Sequence, residues 1–520
     1  MAEEKHRPRG SRPDGGNASR KNAGSGAARH GGERRGGFDG QRRSGAPRGG
    51  RPQGRAPRTP KASPARRFAL SVGTVVRERE AFTHDVIEAQ LKEVALSDED
   101  KAFGTKLALG VTMSLGTLDE LIDRYVTNPG DLAPLVRDAL RVSAYEIVFL
   151  DKSAYAAVDQ GVELVRSVEP RAVGLANAVL RKIAGAKEDF PFGNPEKSLQ
   201  ALARQHAFPI WLAKTVLDDR GLPALKDFMA ASNEVAPLYL AVNALRGSED
   251  EARAAFAEAS AGAEPAGFDG RAIPRCWRLE NHRAIAHPAV AALLKEGKLF
   301  ASDASAQAIA RLAVPRQMPG RFLEVGAGRG TKSILLQNVA LERFGEQMPL
   351  ETVDNLAFKT KIQTKRAKLT GVRLDEAHTL DAQRLRAKFG EQSFDAVFVD
   401  APCSGLGTLR RHPEIRWRLK PRDIEDLARL NAAILQEAGA CVKKGGVLTY
   451  ATCTVTRAEN ERVVERFMKS AVGERFKIVP LGALSHAGAA PTGADALFFA
   501  SNLESGGPDA HFAAQFVRVR

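Results

Sequence analysis

Two short segments place thiols where a buried strand should end. The apolar run Phe394-Asp-Ala-Val-Phe-Val leads into Asp400-Ala-Pro-Cys403-Ser-Gly, and Gly446-Val-Leu leads into Thr449-Tyr-Ala-Thr-Cys453-Thr. In open α/β sheets, ligands bind at the carboxyl ends of the strands. A thiol placed there, with a carboxylate three residues before one of the pair, points to covalent chemistry. Nucleophilic attack by a thiolate divides one difficult step into two easier ones. Spacing alone does not rank Cys403 and Cys453, because each closes a strand. The other two cysteines, Cys276 and Cys441, read as small apolar residues of the interior. No cysteine pair has the spacing of a disulfide framework or a zinc site, so no metal is expected and a reducing compartment fits.

A second constellation suits a nucleoside. Phe322-Leu-Glu324-Val-Gly326-Ala327-Gly328-Arg329-Gly330-Thr-Lys332-Ser reads as a strand, a glycine turn and a helix start. Glycines allow close approach of the backbone, and the helix amino terminus faces what is bound. The spacing is GxGxG, neither the dinucleotide GxGxxG nor a phosphate loop ending in GK[ST]. Asp354 closes the next strand candidate, where a carboxylate can take both hydroxyls of a ribose. A nicotinamide cofactor would suit the loop, but two thiol loops do not suit hydride transfer.

These residues need a sheet edge to hold them. From about residue 301 the rhythm is strand, helix, strand. Candidate strands are 321–325, 350–354, 372–380, 394–400, 446–450, 476–480, 496–500 and 512–519. Alternating β and α elements predict a mostly parallel, doubly wound α/β sheet, and the late strands predict a closing antiparallel hairpin. Residues 67–188 show only helical periodicity and predict a bundle of about five to seven helices. Ser97-Asp-Glu-Asp100 and Thr117-Leu-Asp-Glu120 have capping-box spacing, and Pro134 marks a further helix start. Residues 189–300 predict a small α+β module, with a strand at 237–243 and a short helix at 252–259. The chain is thus expected to be multidomain: a basic tail over 1–66, an all-α bundle, the α+β module, and an α/β doubly wound domain over 301–520.

Charge is uneven along the 520 residues. The net charge is +15, yet residues 1–66 hold 17 Lys and Arg against 5 Asp and Glu, and the remainder holds 60 against 57. The tail is rich in Arg, Gly and Pro and is expected to be disordered. Its Arg48, Arg51, Arg55, Arg58 and Arg66 read as a phosphate-seeking brush, against a bland reading as a solubilising tail. The amino terminus lacks the apolar run of a signal peptide, and no run of about 18 apolar residues exists, so no membrane partner is expected.

On these motifs the chain resembles the RNA cytosine-carbon-5 methyltransferases of the Sun/Nop family. The likeness is stronger to the bacterial small-subunit ribosomal RNA subgroup, the RsmB type, which carries an amino-terminal NusB-like domain. The stretches that carry it are Asp400 to Trp417, Tyr450 to Glu461, and Leu175-Ala-Asn-Ala-Val-Leu-Arg. Gln307 sits where the family opens its catalytic domain. The glycine loop departs from the family's Asp head and Pro-Gly-Gly-Lys-Thr ending: here Glu324 heads it and Arg329-Gly330-Thr-Lys332-Ser closes it.

The resemblance implies a Rossmann-like domain using S-adenosylmethionine to methylate carbon 5 of a cytosine in the family's 16S ribosomal RNA substrate, within the cytoplasm. It implies Cys453 as the nucleophile, Cys403 as the residue assisting product release, and Asp400 at N3 of the base. Glu324, Gly326, Ala327, Gly328, Arg329, Gly330, Lys332, Asp354, Asp381 and Asp400 would line the cofactor, with Asp381 near the adenine. Arg410, Arg411, His412 and Arg416 would clamp RNA phosphates; Asn460 and Glu461 would fix the second thiol loop or cap the following helix. The NusB-like bundle would add RNA affinity. No obligate protein partner is implied, and a monomer is expected. A second reading, an RNA-binding scaffold that has lost catalysis, would rest on the altered glycine loop. A DNA cytosine methyltransferase would use the Pro-Cys loop for attack, and the second thiol motif argues against it.

Overall fold

In a computed structural model, the described residues are 62–150, 153–268, 271–481, 499–500 and 503–520. The expected arginine brush lies outside them except for Arg66. That residue is no part of a brush: it sits in the helix Pro64–Arg79, and its Nε donates to the buried Glu146 Oε2 at 2.8 Å. The first helix therefore opens at Pro64, with the Ser63 hydroxyl accepting from the Arg66 N–H.

Seven α-helices form the amino-terminal bundle: Pro64–Arg79, Thr83–Glu93, Asp98–Met113, Leu115–Asp123, Pro134–Phe149, Ala154–Val168 and Val173–Gly185. Ser97 caps the third, accepting from the Asp100 N–H at 3.1 Å. Thr117 does not open a helix as its spacing predicted; the fourth helix begins at Leu115 and buries Thr117 along with Leu118. Leu107, Leu118, Ile122, Leu140, Ile147, Leu164 and Leu180 fill the core. Full burial of such a side chain is worth roughly 1.5–3 kcal/mol.

Three helices follow, Leu199–Gln205, Ile210–Arg220 and Leu222–Ala231. Their apolar faces pack on Leu406, Leu409 and Ile424 from the later chain. The α+β module holds β1 (Leu238–Val242), β2 (Ala263–Phe268), β3 (Arg271–Leu279) and β4 (Leu299–Ala301), in the antiparallel order β2-β3-β1-β4. The β2–β3 pair was not expected from sequence, because Pro265 and Pro274 interrupt its runs. The register shifts beside Pro265, and Pro274 lies beyond the residues that pair with β1.

The large sheet comprises β5 (Phe322–Val325), β6 (Leu350–Asp354), β7 (Glu376–Thr379), β8 (Phe394–Asp400), β9 (Val442–Thr452), β10 (Phe476–Val479), β11 (Phe499–Ala500) and β12 (Phe512–Arg518). Its order is β10-β12-β9-β8-β5-β6-β7, with β11 pairing β12. The strands β7-β6-β5-β8-β9 are parallel, and β12 runs antiparallel between β9 and β10. The late strands thus close the sheet edge in antiparallel pairing, with β12 inserted between β9 and β10. Two apolar layers cover the two faces, one on Val397, Val399 and Leu448 and the other on Phe322, Ala396 and Phe398. The chain is multidomain, with a helical bundle, a small antiparallel module and a doubly wound, mostly parallel sheet. No helix among the described residues is long and apolar enough to cross a membrane.

Candidate active site

Because β5, β6, β8 and β9 run parallel, the glycine loop, Asp354 and both thiol loops emerge at one edge. The Cys403 and Cys453 Sγ atoms lie 3.1 Å apart, and the Cys453 N–H donates to the Cys403 Sγ at 3.3 Å. The shared thiol contact splits their acidities. Cys453 is held below the ordinary thiol value, chiefly by hydrogen bonding from Cys403 and further by the Lys332 charge, against the opposing effect of burial. Cys403 is pushed well above it, by that same hydrogen bond first and by burial second. The contact thus favours the thiolate form at Cys453 and the thiol form at Cys403. Burial pushes Cys276 and Cys441 up to about 12, as inert interior thiols.

Lys332 Nζ donates to Asp400 Oδ2 at 2.7 Å. Burial would lower the Lys332 ammonium, but the Asp400 carboxylate outweighs it and the net shift is upward. Beneath this pair Glu324 is fully buried; its Oε2 accepts from the Ser333 hydroxyl at 2.5 Å, and its Oε1 has no hydrogen-bond partner. Its carboxyl is raised from 4.5 to about 8, by burial first and then by the Asp400 charge, with Ser333 opposing. Between those values the folded protein retains a proton that the unfolded chain has released. The stability contributed by this group is therefore full below pH 4.5 and lost as pH rises through about 8. We expect the urea midpoint of the wild type to fall more steeply between about pH 5 and pH 8 than that of Glu324→Gln. Equal slopes would contradict the assignment.

The loop above is shaped by its glycines. Gly326 has φ +81°, and a Cβ there would come within 2.2 Å of the Asp400 carbonyl oxygen, so the first thiol loop can approach only a glycine. Gly328 also has positive φ, but a Cβ there would meet only the Gly326 carbonyl oxygen, at 3.9 Å. Ala327 is buried and Arg329 exposed. Asp354 accepts from the Gly328 N–H at 3.0 Å and from the Leu356 N–H at 2.9 Å, so it orders the loop as well as ending β6. Asp381 lies on the same edge, exposed, where it accepts from the Gln383 N–H at 2.9 Å as a helix cap.

Sequence reading missed the residue that joins the thiol loops. Glu459 is fully buried and accepts from the Ser404 N–H, the Ser404 hydroxyl and the Thr456 hydroxyl, each at 2.7 Å, and from the Thr454 hydroxyl at 3.2 Å. Ser404 follows Cys403 and Thr454 follows Cys453, so one carboxylate fixes both loops. Thr456-Arg-Ala-Glu459 has the T-x-x-E spacing of a capping box, which was the available signal. Asn460 bridges Thr452 and the Thr454 carbonyl, and Glu461 pairs with Arg220 at 2.6 Å.

The expected phosphate clamp is corrected by the structure. Arg410 is buried and pairs with Asp509 at 2.9 Å; Arg411 bonds Asp509 and Asp303. Arg416 is fully buried, donating to the Asn233 side chain at 2.8 Å and to the Ala207 and Ser232 carbonyls, with its guanidinium 4.1 Å from the Phe208 ring centroid. His412 packs on Phe82 with ring centroids 5.0 Å apart. Nearby, Trp417 donates to the Met113 carbonyl and Glu414 accepts from Thr83. The segment 410–418 is a joint between the catalytic sheet and the preceding helices. Its guanidinium groups are committed to interior acceptors and are not a free surface for RNA.

A cavity of about 1030 Å³ lies toward the opposite edge of the sheet, lined by Met318, Gly445 and Val479 among others, away from the thiols. Comparison with known proteins adds the following. A family profile described as 16S rRNA methyltransferase RsmB/F matches residues 311–514, and the NusB family profile matches residues 63–185. The chain is 30% identical over 410 residues to the ribosomal RNA small subunit methyltransferase B of Escherichia fergusonii, covering 77% of this chain and 89% of that one. It is 32% identical over 420 residues to a Mycobacterium tuberculosis protein named as a methyltransferase, covering 78% and 86%. The crystal structure of PH0851 shares the fold with a TM-score of 0.72 at 22% identity, over 88% of this chain and 99% of that one. NSun6 from Pyrococcus horikoshii with SFG gives a TM-score of 0.50 at 15% identity, over 61% of this chain and 99% of that one.

Proposed function

The chain belongs to the RsmB family of ribosomal RNA small-subunit methyltransferases, and from that premise we propose that it methylates carbon 5 of a cytosine in 16S ribosomal RNA through a covalent bond from Cys453. The observation that carries this reading is the pair of thiols 3.1 Å apart, with opposite acidity shifts, beside the Lys332–Asp400 pair.

The cofactor is S-adenosylmethionine, which supplies the methyl group as an electrophile when bound. The loop fits it: Gly328 leaves an open cradle, and the buried Glu324 Oε1 lacks a partner. Glu324, Gly326, Ala327, Gly328, Arg329 and Gly330 would hold it, with Asp354 toward the ribose and Asp381 toward the adenine. These features speak against a scaffold that has lost catalysis.

Carbon 5 of cytosine is a weak nucleophile. Addition of the Cys453 thiolate to carbon 6 moves the ring's electron pair to carbon 5 and raises electron density at N3. The Asp400–Lys332 pair, 2.7 Å apart, would stand at N3 and stabilise the charge that develops there. Carbon 5 then forms its bond to the methyl group. A base takes the carbon 5 proton, that bonding pair restores the ring double bond, and the carbon 6–sulfur bond breaks to return the thiolate. Cys403 suits the release phase. Its acidity is suppressed mainly by the contact with Cys453, and that suppression ends once Cys453 is bonded to carbon. The cytosine must leave its stack to enter, at least cost in an RNA loop.

The test is mass-spectrometric analysis of 16S ribosomal RNA after incubation with the protein and S-adenosylmethionine. One 5-methylcytidine is expected. Methylation of another atom, or none with the cofactor bound, would refute the reading.

A further inference from the structure

With Arg410 and Arg416 buried, the RNA needs another cationic surface. The helix Ala357–Thr370 follows Asp354 directly and carries Lys359, Lys361, Lys365, Arg366 and Lys368 with no Asp or Glu. Outside the tail the chain is nearly neutral, so this density is local. Thr360, Gln363, Ala367 and Thr370 face the sheet. The opposite face exposes Phe358 (55%), Ile362 (39%) and Leu369 (50%) around Lys365, with Lys361 and Lys368 along one flank.

Among the described residues, Lys361, Lys365 and Lys368 form no ion pair, and Lys359 comes only within 4.0 Å of Asp354. Burial first, and then the nearby charge of the exposed Arg329 on the glycine loop, hold the Arg366 guanidinium below its ordinary value. At the far end Arg246 donates to the Lys368 carbonyl at 3.0 Å. Cations thus run from the rim of the candidate active site along a helix about 21 Å long. Unpaired cations around exposed apolar side chains match a polyanion with stackable bases.

Resting on the reading above, we infer that the helix Ala357–Thr370 is the docking face for the substrate RNA, its lysines on backbone phosphates and Phe358 against a base. The test uses the full chain, a 16S ribosomal RNA fragment and the triple variant Lys361→Gln, Lys365→Gln, Lys368→Gln. Affinity is measured across a salt series, beside S-adenosylmethionine affinity and the urea midpoint. The expected result is an RNA affinity at least about tenfold weaker and a log–log salt slope shallower by about two. Cofactor affinity and urea midpoint should hold. Phe358→Ser should weaken RNA binding without changing the slope.

Unchanged RNA affinity and slope in the triple variant would overturn the inference. So would loss of self-association in Phe358→Ser with RNA affinity intact, which would make the face an interface between copies of this chain. A wild type that shows the lysine-dependent slope yet makes no 5-methylcytidine would sink the proposed function and leave the docking face standing.

Discussion

Cys453→Ala is expected to lower methyl transfer by at least about a thousandfold and to leave no covalent RNA complex, because it removes the thiolate assigned to the attack. Cys403→Ala should behave differently. Its Cys453 still adds to carbon 6, but the adduct resolves slowly, so the covalent complex should accumulate on denaturing gels. Cys403 also holds Cys453 below its ordinary value. The pH at which adduct formation half-saturates should therefore rise in Cys403→Ala. A variant that merely loosened packing would not move that midpoint. Resolution as fast as the wild type would contradict the role in release.

Asp400→Asn should cost about a hundredfold to a thousandfold in methyl transfer, the usual effect of losing one group that stabilises charge in the transition state. Its second consequence has the opposite sign. The Asp400 charge raises Cys453 and the Lys332 charge lowers it. Asp400→Asn should therefore make Cys453 more acidic while methylation falls, and Lys332→Met should make it less acidic. Alkylation of the protein by iodoacetamide across pH reads both shifts. Movement of both variants in the same direction would refute the assigned electrostatics.

The sheet edge was legible because its residues are local. A buried run ending in Asp-Ala-Pro-Cys, and a strand ending in a glycine turn, carry their geometry in a few consecutive positions. The same holds for Ser97 as a helix cap. The fate of Arg410, Arg411 and Arg416 was not legible. A basic run on a loop looks solvated until its acceptors are known, and those acceptors are Asp509, Asp303 and the Ala207 carbonyl, 99, 108 and 209 positions away. Glu459 was hidden for a related reason. Its spacing from Thr456 signals a cap, but its reach to Ser404 spans 55 positions. The β2–β3 pair was masked by prolines that the register shift accommodates. Helix Ala357–Thr370 is the converse case. Its lysines stood in plain view, yet their lack of partners is a property of the fold.

The central claim is that the two neighbouring thiols have unequal roles, with Cys453 forming the bond to the base. Trapping tests it most directly. The protein is incubated with S-adenosylmethionine and 16S ribosomal RNA carrying 5-azacytidine, which has no carbon 5 proton to release. The complex is then digested, and the nucleotide-bearing peptide is sequenced by mass spectrometry. The expected result is a single adduct on Cys453, retained in Cys403→Ala and absent in Cys453→Ala. An adduct on Cys403, or one that survives Cys453→Ala, would contradict it.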